Sequence, residues 1–297
     1  MTAQIPPKAR KAAPKAHEPD KAAPREALAS PPQEIAPPVQ ETHGRGVTVL
    51  TLARPAQRNS LSEELIVALH EAVRRLSKDA TVKAVVIAST GAAFSAGHDL
   101  KELSARRSDA DGGRAYFAHM MQICAAMMQA IVASPKPFIA AVEGVATAAG
   151  CQLVATCDLA VAGAGAKFAT PGVNIGLFCS TPMVALTRNV PRKRAMEMLL
   201  LGEMLPARDA ADYGLVNRVV PQGEALAAAI ALAETIASKS PATVAIGKAT
   251  FYAQLEIPLA EAYAHAARVM VENMMFADAK EGIGAFMEKR EPNWRGC

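Results

Sequence analysis

The chain has no C-x-x-C spacing, no run of about 18 uncharged apolar residues and no strong charge of either sign. Its five cysteines (Cys124, Cys151, Cys157, Cys179 and Cys297) form an odd set. That excludes a fully paired disulfide framework and offers no zinc-binding pattern, so they read as free thiols in a reducing compartment. Without a long apolar run, no transmembrane helix and no membrane partner are expected. The opening MTAQIPPKARKAAPK lacks the apolar centre of a secretion signal, and the expected location is cytoplasmic. A balance of 32 Lys+Arg against 28 Asp+Glu, net +4, is too mild to point to nucleic acid. Collagenous, coiled-coil and wholly disordered classes fail on composition.

The chain holds 297 residues, 51% of them hydrophobic, enough for one large or two small domains with a full core. Residues 1–45 stand apart: they carry nine of the 20 prolines and seven Lys/Arg, and no Phe, Trp or Tyr. Such a segment cannot offset its ordering entropy and is expected to be a disordered tail. From Val47 the pattern becomes regular. VTVLTLAR alternates as a strand, an Asn59–Ser60 turn follows, and LSEELIVALHEAVRRLSKD has helical spacing. VKAVVIAST and PFIAAVEGVA read as strands covered on both faces. AAGCQLVATC reads as a helix, DLAVAGAGAKFA as one or two strands, and the chain after Thr170 as mainly helical apart from LVNRVV. Strands alternating with helices predict an α/β fold with largely parallel pairing. The expected division is a tail over 1–45, a core over 46–238 and a helical segment over 239–297.

Two loops, FSAGHDLKEL (94–103) and EGVATAAGCQLVATCD (143–158), each follow a buried strand and are rich in small residues. Ligands in such folds sit beyond the carboxyl ends of strands. A helix starting near Ala149 would aim its free N–H groups at a ligand. If N–H groups from both loops converged, they would form an oxyanion hole; tight strand–helix packing is the other reading of the same small residues.

These two loops, together with AKFATPGVNIGLF and EGIGAFMEKR, resemble the crotonase (enoyl-CoA hydratase/isomerase) superfamily over about residues 46–295. The resemblance implies a repeated ββα core, a C-terminal helical trimerisation segment, and self-association as a trimer or a dimer of trimers. It implies an acyl-CoA thioester as substrate, so coenzyme A enters with the substrate and no separate cofactor is expected. The backbone amides of His98 and Ala149 would hold the thioester oxygen. Ala96 and Lys101 would lie by the adenine end, and Phe286 and Lys289 would reach coenzyme A from a neighbouring subunit. The family often has a lysine where this chain has Ala92.

The resemblance also marks a departure. Hydratases of this family use two glutamates for acid–base chemistry. Here their positions are Gln152 and Gly172, and an amide is neither acid nor base at neutral pH. Hydratase activity is therefore in question, while acyl-CoA binding and oxyanion stabilisation in a lyase-type superfamily of fatty-acid metabolism stand as the expectation. A decarboxylase, a thioesterase, or a non-catalytic acyl-CoA- or RNA-binding protein are the alternatives. The His98 side chain is a spare acid or base, or else faces solvent or bonds to Asp99. His98 and Asp99 alone make no metal site. The resemblance puts Asn174, Cys179 and Ser180 where some family members place a nucleophile or polar anchor, with Ser180 a catalytic candidate; Ser180, Thr181 and Pro182 also read as a helix start. Cys151 and Cys157 read as core, Asp158 as a cap or turn, and Glu143 as a minor catalytic candidate.

Overall fold

The computed structural model describes residues 1–2 and 36–297, and the chain divides into two units, Met1–Ile35 and Ala36–Cys297. Residues 3–35 of the expected tail lie outside the described residues. The tail's expected end at 45 is corrected, because the first strand already begins at Val39.

The strands of the second unit are β1 (Val39–Gly44), β2 (Val47–Leu52), β3 (Ala84–Ser89), β4 (Ala93–Ser95), β5 (Phe138–Val142), β6 (Val145–Thr147), β7 (Leu159–Gly163), β8 (Lys167–Ala169), β9 (Leu205–Pro206) and β10 (Arg218–Val220). Its α-helices are α1 (Glu63–Lys78), α2 (Leu100–Ala105), α3 (Arg114–Ala133), α4 (Ala149–Thr156), α5 (Pro182–Leu186), α6 (Arg192–Leu201), α7 (Ala207–Asp212), α8 (Ala225–Ala237), α9 (Pro241–Gln254), α10 (Leu259–Met274) and α11 (Ala277–Glu288).

Two sheets are built in step. The larger runs β1-β2-β3-β5-β7-β10 and the smaller β4-β6-β8-β9. In each repeat (β3–β4, β5–β6, β7–β8) the first strand joins the large sheet and the second the small one. Pairing is parallel except at β1–β2 and β8–β9. Parallel strands need crossovers, and α3 and α4 supply them.

One face of the large sheet packs on α1 and α3 around Phe94, Phe138 and Phe168, the largest fully buried side chains. The other face receives Ala225, Ala229, Ala233 and Ala237, an alanine stripe down α8 that meets Val49, Val86 and Val161. Cover on both faces explains a correction: β2 does not alternate, and Val47, Thr48, Val49, Leu50 and Leu52 are all buried. Helix α1 starts where Ser62 accepts the Leu65 N–H at 3.3 Å, with Glu63 and Glu64 in its first turn and Arg75 and Lys78 in its last, as the helix dipole favours. Against expectation, α3 is long and apolar enough to cross a membrane by length and composition. It buries Met120, Cys124, Met127, Met128 and Ile131, the stripe of a core helix.

The helical segment is tied to the core by a buried ion pair. Lys248 Nζ donates to Asp158 Oδ2 at 2.7 Å and to the carbonyls of Ile131 and Lys136 at 2.9 Å each. Asp158 also accepts the Phe138 N–H at 2.7 Å and the Tyr252 hydroxyl at 2.9 Å. Burial pulls the Lys248 pKa down, and Asp158 opposes that pull. Asp158 is thus a clasp for α9 rather than a local cap.

Two expected outcomes follow from this packing. Lys248→Met should cost about 3 kcal/mol in urea unfolding, because it strands a partly buried carboxylate; a loss under 1 kcal/mol would show that the pair contributes little. A chain beginning at Gly44 should melt several degrees below one beginning at Ala36, since it loses the β1–β2 ladder and the Glu41–Arg75 ion pair. Circular dichroism melts of the two chains check this.

Candidate active site

The two small-residue loops meet. Gly97 has φ +84, and a Cβ there would lie 2.8 Å from the Ala148 Cβ, 3.0 Å from the Thr147 carbonyl oxygen and 3.2 Å from the Ala149 nitrogen. Only glycine permits both that backbone angle and that approach. Gly150 in turn packs against Ser95, leaving no room for a side chain. Both loops are therefore fixed as one piece of backbone.

Each loop presents an N–H group there. Leu61 N–H donates to the Gly97 carbonyl at 2.7 Å, and the Asp99 N–H donates to the Leu61 carbonyl at 3.4 Å. Extended backbone alternates, so pairing on both sides of His98 turns its own N–H the other way. Ala148 has φ 49 and ψ −119, a conformation that an alanine adopts only under constraint. It is held by its N–H donating to the Ala169 carbonyl at 2.9 Å and its carbonyl accepting the Gln152 N–H at 3.0 Å. Ala149 then opens α4, where first-turn N–H groups lack helical partners. Among the described residues, no acceptor is bonded to the N–H of His98 or of Ala149.

Four buried side-chain polar atoms lack partners among the described residues: His98 Nε2, Gln152 Oε1, Thr170 Oγ1 and the Tyr116 hydroxyl. Burial holds the His98 ring below its ordinary pKa, hence neutral at neutral pH. Neither expected bland role for His98 holds. Its Nε2 is out of solvent, and Asp99 is spent on Ser60 (2.9 Å) and on the Lys101 and Glu102 N–H groups (2.9 and 3.2 Å) that open α2. The Tyr116 pKa is raised by burial and by the nearby Glu102 and Glu63 carboxylates. Sequence reading missed Thr170 and Tyr116. Thr170 was findable only as the neighbour of Ala169, whose pairing with Ala148 is tertiary.

Position 172 leaves no room for a side chain. A Cβ at Gly172 would sit 2.9 Å from the Leu177 carbonyl oxygen and 3.0 Å from Cys179 Sγ. The chain from 177 to 179 fills the space that a side chain would need. Cys179 Sγ accepts a hydrogen bond from the Gly172 N–H, and burial pushes its thiol pKa up. Cys151 is pushed up to about 12 by burial, as suits a core thiol.

Other expected residues fall elsewhere. Ser180 is exposed, its Oγ donating weakly to the Phe178 carbonyl at 3.4 Å. Thr181 makes no capping bond, although Pro182 does open α5. Asn174 donates to the Gly202 carbonyl at 3.3 Å. Glu143 is not free for catalysis: it accepts the Ala225 N–H at 2.6 Å, the Gly223 N–H at 2.9 Å and Gln222 Nε2 at 2.9 Å, capping α8. Asn59 lies in the expected turn and is also a buried clamp, donating to the Thr90 and Ala93 carbonyls at 2.8 Å each. Ala96 N–H donates to the Arg58 carbonyl at 3.1 Å, and the Lys101 side chain is open to solvent. Phe286 is 85% exposed on α11, with Lys289 exposed just past its end, so within one chain Phe286 touches almost nothing.

Residues 42–297 match the family model described as enoyl-CoA hydratase/isomerase. The chain belongs to that family. It is 47% identical over 249 residues to the mouse mitochondrial enoyl-CoA hydratase domain-containing protein 3, covering 84% of this chain and 81% of that one. Among solved structures, an enoyl-CoA hydratase from Mycobacterium smegmatis is 50% identical with a TM-score of 0.82, covering 87% of this chain and 99% of its own. The human enoyl Coenzyme A hydratase domain-containing protein 3 is 45% identical at the same TM-score, with coverage of 86% and 100%. The fold is thus that of the crotonase superfamily, as the loops suggested. The cytoplasmic expectation is overturned: the mouse, rat and human relatives are all named mitochondrial.

For this member of the family, Gly172→Ala should lower the melting temperature while the chain still folds. Overpacking of this kind typically costs about 1–3 kcal/mol, and an unchanged thermal melt would show that the 177–179 segment yields freely.

Proposed function

We propose that this chain binds an acyl-CoA thioester and stabilises its oxyanion or enolate at the N–H groups of His98 and Ala149. The observation that carries the reading is the contact of the Gly97 and Ala148 turns, which fixes two unpaired donors side by side. Preorganised donors of this kind stabilise charge that develops on a carbonyl oxygen. Coenzyme A enters as part of the substrate. Lys101 and Ala96 would flank its adenine end, and Phe286 and Lys289, exposed here, would serve a neighbouring copy in a trimer or a dimer of trimers. The mitochondrion, carried by the relatives' names, replaces the cytoplasm in this reading.

Water addition of the ordinary kind is disfavoured. Gln152 cannot take or give the proton, and the space beside Gly172 is closed to a carboxylate. Chemistry that needs the oxyanion donors but no paired carboxylates, such as decarboxylation of an acyl-CoA, fits the same site. A lyase-type enzyme is therefore proposed, with fatty-acid or related acyl-CoA metabolism as its setting.

Crotonyl-CoA hydration should be far below that of a family hydratase, since each acid–base group contributes about 10²–10⁴-fold. Hydration at an ordinary hydratase rate would overturn the account of positions 152 and 172. Turnover of enoyl-, malonyl- and hydroxyacyl-CoA, followed by mass spectrometry, then identifies the reaction. For whichever thioester turns over, Ala149→Pro should cost ~3–4 kcal/mol at the transition state by removing one donor. A folded proline variant with full turnover would remove the oxyanion hole.

A further inference from the structure

Helix α11 has little core of its own. Among the described residues it buries Asp278 and Ala285, and a helix this short is marginal in water without packing. What holds it is the chain that follows. Asp278, 1% exposed, accepts the Arg295 N–H at 2.7 Å, the Gly296 N–H at 2.9 Å and the Ser240 hydroxyl at 2.6 Å. Glu281 receives Arg290 on both oxygens, at 2.6 and 3.0 Å, and the Asn293 N–H at 2.8 Å. Trp294, the single tryptophan of the chain, lies against Gly282, where a Cβ would come within 3.0 Å of the indole. Its Nε1 donates to the Ser238 carbonyl at 2.8 Å. Residues 290–296 thus fold back over α11 and bind it to the junction of α8 and α9.

The helix has two stripes. Asp278, Glu281, Gly282 and Ala285, spaced three and four apart, are buried or held by the returning segment. Ile283, Phe286 and Met287 repeat that spacing on the open side and are exposed. Lys289 follows at the helix end with φ 55, also exposed. Phe286 and Lys289 are therefore aimed by contacts that they do not make themselves. Those contacts suit a fixed aim, because a carboxylate accepting backbone N–H groups is a strong and directional anchor. We infer that residues 290–296 are a tether that aims α11 at the coenzyme A of a neighbouring copy, with Trp294 and Asp278 as its positioning residues. The inference rests on the reading above that Phe286 and Lys289 reach that coenzyme A, and it adds the device that sets them. Trp294 touches no part of the ligand; it acts through α11.

Isothermal titration calorimetry of coenzyme A into the full chain tests this, with light scattering to follow the oligomeric state. Trp294→Ala should weaken binding about tenfold, the size of one good interface contact, with the assembly unchanged. Trp294→Phe keeps a ring on Gly282 and should recover most of that loss. In a chain already carrying Phe286→Ala and Lys289→Ala, Trp294→Ala should cost little more, because residues that act through one another are not additive. Three results overturn the inference: full affinity in Trp294→Ala, an equal further loss in the Phe286→Ala, Lys289→Ala chain, or a loss that comes with dissociation of the assembly. In each case the reading beneath it stands as long as Phe286→Ala with Lys289→Ala weakens binding by itself. Intact coenzyme A binding in that double variant, or none in the unaltered chain, overturns both. Where Trp294→Ala does not fold, Gly282→Leu displaces the indole from within the helix and is held to the same outcomes.

Discussion

The close approach of Gly97 to the Thr147–Ala149 turn is the contact on which the rest of the site depends. It joins the end of the first repeat to the start of α4 in the second, through a distance that excludes any side chain. The strained Ala148 persists because its N–H and carbonyl are both engaged. Strain of this kind is stable only where surrounding structure over-determines it, and here the small sheet and α4 do so. The small sheet brings β4, β6 and β8 together, and with them the residues that follow each strand.

That arrangement sets the backbone of the two loops independently of the side chain at 152. The proposed oxyanion donors are backbone N–H groups, and that backbone is set by strand pairing and glycine packing rather than by the Gln152 side chain. At 172 the Leu177 carbonyl and the Cys179 sulfur occupy the space that a side chain would need, so a glutamate there would meet backbone.

Much of the fold was legible in the sequence because its signals are local. Buried strands show as apolar runs, α1 announces itself by Ser62 and its period, and the glycines of FSAGHDLKEL mark a backbone that must come close to something. The errors share one cause. Local pattern makes β2 alternate, Glu143 a minor catalytic candidate and Asp158 a cap or turn, whereas the role of each depends on an element far along the chain: α8 for the first two and α9 for the third. β1 was read as tail because an edge strand of mostly exposed residues has no apolar signature of its own.

Through its resemblance the chain pointed to the family and its repeated ββα order; by itself the sequence determined the alternation of strands and helices, the small residues of both loops and the absence of carboxylates at 152 and 172. Those follow from residue identity and spacing along one chain. Only the tertiary structure decided that the two loops touch, that Glu143 is consumed as a cap, that Gly172 cannot be enlarged, and that His98, Gln152 and Thr170 are left buried without partners. Each of these depends on distances between residues remote in sequence, and such distances are set by packing, which no local pattern encodes.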